Sequence, residues 1–260
     1  AEKAEKRKAP EDKPLTVLTT ACKGCVPSRI YVTDLCQGCV ARPCVNTCKF
    51  GAISIQNGKS VIDPAKCKNC GMCAQVCPYQ AIQKIIVPCE SACPVGAIAK
   101  DEDGHARIDF EKCISCGKCA SACPFGAVHE KSQIIDVLKN IKAGKKVIAM
   151  VAPAMFGQLP CTPKQLKEAI MKLGFTDVYE VAQGADVTTK NEAAEFVERL
   201  EKGAEFMTTS CCAGYNELVD KHIPDMKPFR SDTKTPMYYT AEIVKQENPD
   251  AVTVFFSPCV

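Results

Sequence analysis

"CKNCGMCAQVCP", residues 67–78, decides the fold: Cys67, Cys70, Cys73 and Cys77 run in C-x2-C-x2-C-x3-C order and close on Pro78. Three thiolates at that spacing wrap a cubane 4Fe-4S cluster, while the fourth ligates a neighbouring cluster. Such runs are therefore expected in pairs. "CISCGKCASACP", residues 113–124, repeats the pattern with Cys113, Cys116, Cys119 and Cys123. The mate of the first run is Cys36, Cys39, Cys44 and Cys48, stretched by two residues and followed by Lys49 in place of proline. Cross-ligation then assigns one cluster to Cys36, Cys39, Cys44 and Cys77, and another to Cys67, Cys70, Cys73 and Cys48.

The mate of the second run is a remnant, Cys89 and Cys93 before Pro94, which keeps the back half of the motif. Cys22 and Cys25 offer the missing leading pair. The corresponding clusters are Cys113, Cys116, Cys119 with Cys93, and Cys22, Cys25, Cys89 with Cys123, so that sixteen thiolates fill about four clusters. These runs carry the bacterial ferredoxin signature, and residues 16–130 resemble two ferredoxin-like modules of α+β fold. GAISI (51–55) and QAI (80–82) are the short strand starts expected there. Zinc is the competing ligand, because paired C-x2-C units also hold it tetrahedrally, and the leading Cys22 and Cys25 leave room for a separate metal. Clusters also staple small cores, but four in a row make an electron path.

The whole chain has 260 residues, 46% of them hydrophobic, and a formal net charge of +3. That is enough apolar material for two domains and too little positive charge to indicate nucleic acid or an anionic membrane. No apolar run reaches the length of a membrane span. Residues 1–15 lack the apolar stretch of a secretory signal and read as a solvated, mobile leader. Twenty cysteines would suit a disulfide scaffold in a short secreted chain, but sixteen fall before residue 124 in metal-ligand spacing. Metal in a reducing compartment, the cytoplasm, is the expectation.

After residue 130 the composition changes, and an α/β lobe with a mostly parallel sheet is expected over 131–260. KKVIAMVAP (145–153) reads as a buried parallel strand. The helix after it has Thr162 as N-cap, Pro163 at its first position, Gln165 closing a capping box and Gly174 as its stop. TDVYEVA, EFMTTS (205–210) and AVTVFFS read as further strands. A second helix is expected from Thr189, with Glu192 in its capping box and Ala193, Phe196, Val197 and Leu200 facing inward. Ligands gather beyond the carboxyl ends of such strands. Pro153 and Ala154, the pair Cys211 and Cys212, and Cys259 all fall at expected strand ends.

VAPA (151–154), GADVTTKNEAAEFVERL (184–200), TTSCCAGYNELVDKHIPDMK (208–227) and FFSPCV (255–260) together resemble the catalytic domain of the iron-only (FeFe) hydrogenases. The resemblance covers residues 145–260 and implies an H-cluster: a 4Fe-4S cubane bridged to a diiron unit with carbonyl, cyanide and dithiolate ligands, where protons and dihydrogen interconvert. It implies that Cys212 and Cys259 ligate the cubane and that Cys211 is the proton donor, with Pro153, Ala154 and Ser210 lining the cofactor. A metal-bound cysteine is deprotonated while a relay needs a proton to give, so neighbouring thiols divide the work. The family's proton path maps onto Glu192, Glu195 and Ser231; without the resemblance, both glutamates read as polar-face or capping residues. Ala213, Tyr215, Phe156 and Met237 depart from the residues usual in the family, which points to a divergent branch. Cys161 reads as a small packing residue, and His105, His129 and His222 are isolated from any ligand pattern.

Only two cysteines of the lobe answer a cubane that needs four, and the family's third motif, with its bridging cysteine, is not in this sequence. The chain therefore reads as a piece of a longer protein. The resemblance implies a ferredoxin or flavoprotein as electron partner and dedicated maturation proteins. Two competing functions remain: a hydrogenase-like iron-sulfur protein without a diiron site, acting in cluster assembly or redox sensing, and an electron-transfer polyferredoxin.

Overall fold

The computed structural model describes residues 13–27 and 29–259; most of the expected leader lies outside them. They form two units. One holds residues 17–108 and 118–128, and the other holds residues up to 16, the segment Asp109–Gly117, and everything from His129 on.

In chain order the cysteine-rich region forms β1 (Leu15–Val17), a 3-10 turn at Cys22–Gly24, β2 (Arg29–Val32), α1 (Pro43–Thr47), β3 (Ile53–Gln56) and β4 (Lys59–Ile62). It continues through α2 (Met72–Gln75), β5 (Ile82–Ile85), α3 (Pro88–Ala92), β6 (Ile98–Lys100), β7 (Ala106–Ile108), α4 (Lys118–Ala122) and β8 (Val128–Glu130). β2 pairs antiparallel with β5, Arg29 opposite Ile85 and Val32 opposite Ile82. β3 and β4 make a hairpin, as do β6 and β7. β1 pairs with β8.

The sequence β2–α1–β3–β4–α2–β5 is one β-α-β-β-α-β unit, and β1, α3, β6, β7, α4 and β8 repeat that order. The first module is inserted whole into the second, between Cys25 and Cys89. This nesting explains why the second module's motif looks broken in sequence: its leading cysteines stand on the far side of the insertion.

Helices of four or five residues do not persist alone, since nucleation outweighs so few hydrogen bonds. Here each buries a cysteine: Cys44 in α1, Cys73 in α2, Cys89 in α3 and Cys119 in α4. Pro43 and Pro88 open α1 and α3 with the backbone angle a first turn requires. Ile30, Ile53 and Ile82 pack around Cys44 and Cys73. The residue three past each closing cysteine turns left-handed: Gly51, Gly96 and Gly126, with Gln80 (φ 51°) in the equivalent place of the remaining repeat.

The lobe begins with α5 (Ile134–Lys142) and continues through β9 (Val147–Val151), a 3-10 turn at Pro153–Gly157, α6 (Pro163–Lys172) and β10 (Asp177–Glu180). α7 (Ala182–Glu201), α8 (Ala213–His222), α9 (Pro236–Glu247) and β11 (Val252–Phe256) complete it. The sheet is parallel in the order β10-β9-β11, with Asp177 opposite Ile148 and Val252 opposite Val147. All five residues of β9 are buried, as its unbroken apolar run requires of a central strand covered on both faces. Val147, Ala149 and Val151 pack on Leu166, Ile170 and Phe175, while Ile148 and Met150 face Val181, Val244 and Ala251. α6 carries the full expected capping box at Thr162 and Gln165.

Three local expectations are overturned. The segment 205–210 is not a strand: its only ladder contact among the described residues is a single parallel bridge from Thr208 to Arg230, beside a Phe206–Phe229 stack at 4.3 Å. α7 starts at Ala182, seven residues before Thr189, which lies inside the helix; the neighbouring Thr188 hydroxyl bonds the Gly184 carbonyl one turn back (3.0 Å). Glu192 therefore stands in mid-helix and closes no capping box. The inward face is also reversed. Phe196, Val197 and Leu200 are 41%, 55% and 44% exposed, and Glu192, Glu195 and Arg199 are the half-buried residues. Polar loops lie against that side of the helix, and their N–H groups need acceptors.

Candidate iron-sulfur and cysteine-pair site

Cys36, Cys39, Cys44 and Cys77 line one small cavity together with Gly38, Ser60 and Tyr79. Cys48, Cys67, Cys70 and Cys73 line a second with Phe50, Ile53 and Met72. These are the two crossed sets expected from spacing. Four thiols around one point are a donor set that a cubane takes, and the match of residues 60–83 to a 4Fe-4S binding domain favours it over a lone zinc. In the nested module, burial and then the nearby charges of Glu90, Cys123 and Cys22 push the Cys89 thiol up to about 11. Cys22 opens the 3-10 turn and Cys25 follows it in extended conformation, with the Lys100 ammonium donating to the Cys25 carbonyl. Cys93 and Cys119 belong to the cysteine-rich unit, and Cys113 and Cys116 to the other.

Backbone N–H groups are aimed at the sulfurs: Ala52 at Cys48 (3.4 Å), Ala97 at Cys93 (3.2 Å), Ala106 at Cys22 (3.0 Å), Ser115 at Cys113 (3.4 Å) and Ala127 at Cys123 (3.3 Å). The N–H groups of Ser60 and Gly38 draw the Cys36 thiol below its ordinary range. Donors of this kind favour thiolates and are one of the levers on a cluster's potential. All twenty cysteines are unbridged in this structure. Cys161 packs against the core on the α6 side of the sheet.

At the carboxyl edge of the lobe's sheet, Ala152 N donates to Phe256 O (2.9 Å), so Pro153 and Ala154 leave β9 beside the Ser257–Cys259 turn that follows β11. β9 is the point where the strand order reverses, and open α/β sheets place ligands there. The cysteine pair arrives from a loop and not from the expected strand end. Cys212 is the N-cap residue of α8 and Cys211 precedes it; both are exposed.

That loop is tied down closely. Thr208 N donates to Phe229 O and Ser231 N to Thr208 O, each at 2.8 Å. The hydroxyl of Tyr215, one of the departures from the family pattern, reaches Thr208 Oγ1 (2.8 Å), and Asn216 Nδ2 reaches Ser210 O (2.8 Å). Ser210 N donates to Glu192 Oε1 (3.3 Å), and the Ser210 hydroxyl to Thr233 O.

Glu195 and Ser231 are brought together: the buried Ser231 hydroxyl donates to Glu195 Oε2 at 2.6 Å. Asp232 N (3.0 Å), Thr233 Oγ1 (2.9 Å) and Arg199 (2.6 Å) complete the ring around that carboxylate. Burial raises its pKa, but the Ser231, Asp232, Thr233 and Arg199 donors outweigh burial and hold it at about 2. Glu195 is therefore a standing anion near neutrality, and loading a proton onto it at pH 7 costs on the order of 7 kcal/mol. Sequence reasoning missed Arg199, although its i+4 spacing from Glu195 was a usable signal. It also missed Thr233, whose placement is long-range and left no local trace.

Residues 145–260 match the family described as iron only hydrogenase large subunit, C-terminal domain, and residues 60–83 and 106–129 match the 4Fe-4S binding domain. The periplasmic Fe hydrogenase large subunit of Nitratidesulfovibrio vulgaris is 36% identical over 222 residues, 76% of this chain and 49% of that protein. Iron hydrogenase 1 of Clostridium pasteurianum is 31% identical over 150 residues, 50% of this chain and 26% of that protein. A solved structure concerned with stepwise FeFe-hydrogenase H-cluster assembly is 30% identical at a TM-score of 0.45, covering 50% of this chain and 39% of that one. The chain thus spans about half the length of the first of these relatives and about a quarter of the second. No helix among the described residues is long and apolar enough to cross a membrane.

Proposed function

We propose that this iron-only-hydrogenase-like chain, divergent from its relatives, passes electrons singly along its 4Fe-4S clusters to a centre at the carboxyl edge of the lobe's sheet, where two protons and two electrons interconvert with dihydrogen. An iron-sulfur redox role follows from its 4Fe-4S binding domains and from its likeness to hydrogenase large subunits. The organisation behind the proposal is two ferredoxin-like modules over 16–130, followed by the first lobe of a catalytic domain over 131–260.

The H-cluster, a cubane joined to a diiron unit with carbonyl, cyanide and dithiolate ligands, would supply electron and proton gain at one place. Cys212 and Cys259 would hold its cubane, with Pro153, Ala154 and Ser210 lining the cavity. Cys211 would hand a proton inward from Sγ, and Glu192, which accepts from the Ser210 N–H one residue before it, would return one to that sulfur. Ser231 and Glu195 form the outer end of the path. The pinned carboxylate of Glu195 keeps a negative charge at that end and orients the Ser231 hydroxyl, which donates to it.

The observation that carries this reading is Cys211 beside Cys212 in a loop whose backbone Glu192 grips (3.3 Å). A ferredoxin or flavoprotein would supply or accept electrons, maturation proteins would insert the diiron unit, and the cytoplasm is the proposed compartment, testable by cell fractionation against a periplasmic marker. Infrared spectroscopy tests the function: the natural gene product, purified anaerobically from cells expressing the maturation proteins, is expected to show carbonyl and cyanide stretches. Their absence, while a control hydrogenase matured in the same cells shows them, rejects the proposal.

The deeply ionised Glu195 favours a second reading. In it the chain is a hydrogenase-like iron-sulfur protein without a diiron unit, and Glu192 and Glu195 merely fasten the loops. That protein shows cluster signals and none of those bands.

A further inference from the structure

The segment Asp109–Gly117, which carries Cys113 and Cys116, is held at both ends of α8. At the carboxyl end, the Lys221 ammonium donates to the carbonyls of Phe110 (3.0 Å) and Cys113 (2.8 Å), and His222 Nε2 meets the Lys112 carbonyl at 2.8 Å. At the amino end, Gly214 lies flat against the same segment. A Cβ there would stand 3.2 Å from the Ile114 carbonyl and 3.9 Å from Cys116 Cα, with the Cys212 sulfur 3.8 Å from the same point. One ten-residue helix therefore spans from the loop bearing one set of cluster cysteines to the cysteine pair.

Lys221 does more than fasten the loop. Its charge sits on the carbonyl of Cys113 itself, whose sulfur already accepts the Ser115 N–H (3.4 Å). A cation this close favours the more negative, reduced form of any cluster on that sulfur, and hydrogen bonding and net charge are recognised levers on cluster potential. Glu217, paired with Lys221 one turn earlier on the helix, tempers that charge. We propose that Lys221 is a positioning residue that raises the reduction potential of the cluster held by Cys113 and Cys116, making it the electron reservoir next to Cys212, with Glu217 as its counterweight. This rests on the reading that the segment binds a 4Fe-4S cluster.

The test is a dithionite titration of the anaerobically purified gene product followed by electron paramagnetic resonance, with iron counted in parallel. Lys221→Met is expected to leave iron content unchanged and lower one midpoint, giving at least tenfold less reduced cluster at a fixed potential, or 59 mV for a one-electron couple. Lys221→Arg keeps the charge and is expected to restore the midpoint; Glu217→Gln is expected to raise it. Full iron content with every midpoint unmoved in Lys221→Met overturns the proposal. If Lys221→Met loses iron, Glu217→Gln decides: an upward shift supports the proposal and no shift overturns it. A wild-type protein whose iron content falls short by one cluster, with Cys113→Ser and Cys116→Ser losing none, instead overturns the underlying reading that this segment binds iron, and the proposal with it.

Discussion

Glu195 shows most plainly what single side chains decide in this lobe. Its carboxyl titrates near 4.5 when free of the fold and about 2 within it. A folded-state pKa below the unfolded one means stability that is fully present above pH 4.5 and lost as the pH falls toward 2. Glu195→Gln is therefore expected to cost about 3 kcal/mol at pH 7, with the deficit closing as the pH drops through that window. Urea melts of both proteins between pH 7 and 2.5 check this; a deficit that does not change with pH would mean that shape and not charge holds the loops. Gln80 is the converse case, a side chain in a left-handed turn (φ 51°) that its three counterparts fill with glycine. Gln80→Gly is expected to stabilise the holoprotein by about 0.5–1 kcal/mol by relieving that strain, although the freer unfolded chain offsets part of the gain.

At the scale of elements, what the sequence made legible was local. The capping box of α6 and the apolar run of β9 are spelled by neighbouring residues, and both elements stand where that spelling put them. The start of α7 and the path of residues 205–210 depend on distant partners. Thr189 and Glu192 imitate a helix start, yet nothing between Ala182 and Thr189 breaks the helix, and Gly184 lets it pack on α9. A Cβ on Gly184 would come within 2.1 Å of the Pro236 carbonyl and 2.3 Å of Thr240 Oγ1. Gly184→Ala is therefore expected to wedge α7 from α9 and to destabilise the lobe by about 1–3 kcal/mol despite alanine's better helix propensity. A thermal melt that rises instead would show that this crossing is looser than described. The apolar stripe of α7 misled because amphipathicity states which face is apolar but not which neighbours claim the other. Here the N–H groups of Ser210 and Asp232 claim Glu192 and Glu195.

For the molecule as a whole, the cysteine spacing indicated 4Fe-4S clusters, which the matched binding domains support, while the nesting of one module inside the other needed the strand pairing to be seen. Because Arg29 stands opposite Ile85, the ends of the inserted module lie one ladder spacing apart, about 5.5 Å or less. Replacing residues 29–85 by a two- or three-residue glycine-serine linker is expected to leave the β1–β8 module folded and to lower cluster iron from about sixteen to about eight atoms per chain. Complete loss of iron would mean that the modules fold only together. If Cys211 and Cys212 divide the work, one carrying a proton and the other holding metal, the two alanine variants of the matured, natural gene product differ in iron content and dihydrogen turnover. Cys211→Ala is expected to keep its iron and lose at least a hundredfold in turnover, whereas Cys212→Ala is expected to lose iron. Iron lost from Cys211→Ala and retained in Cys212→Ala would contradict the account.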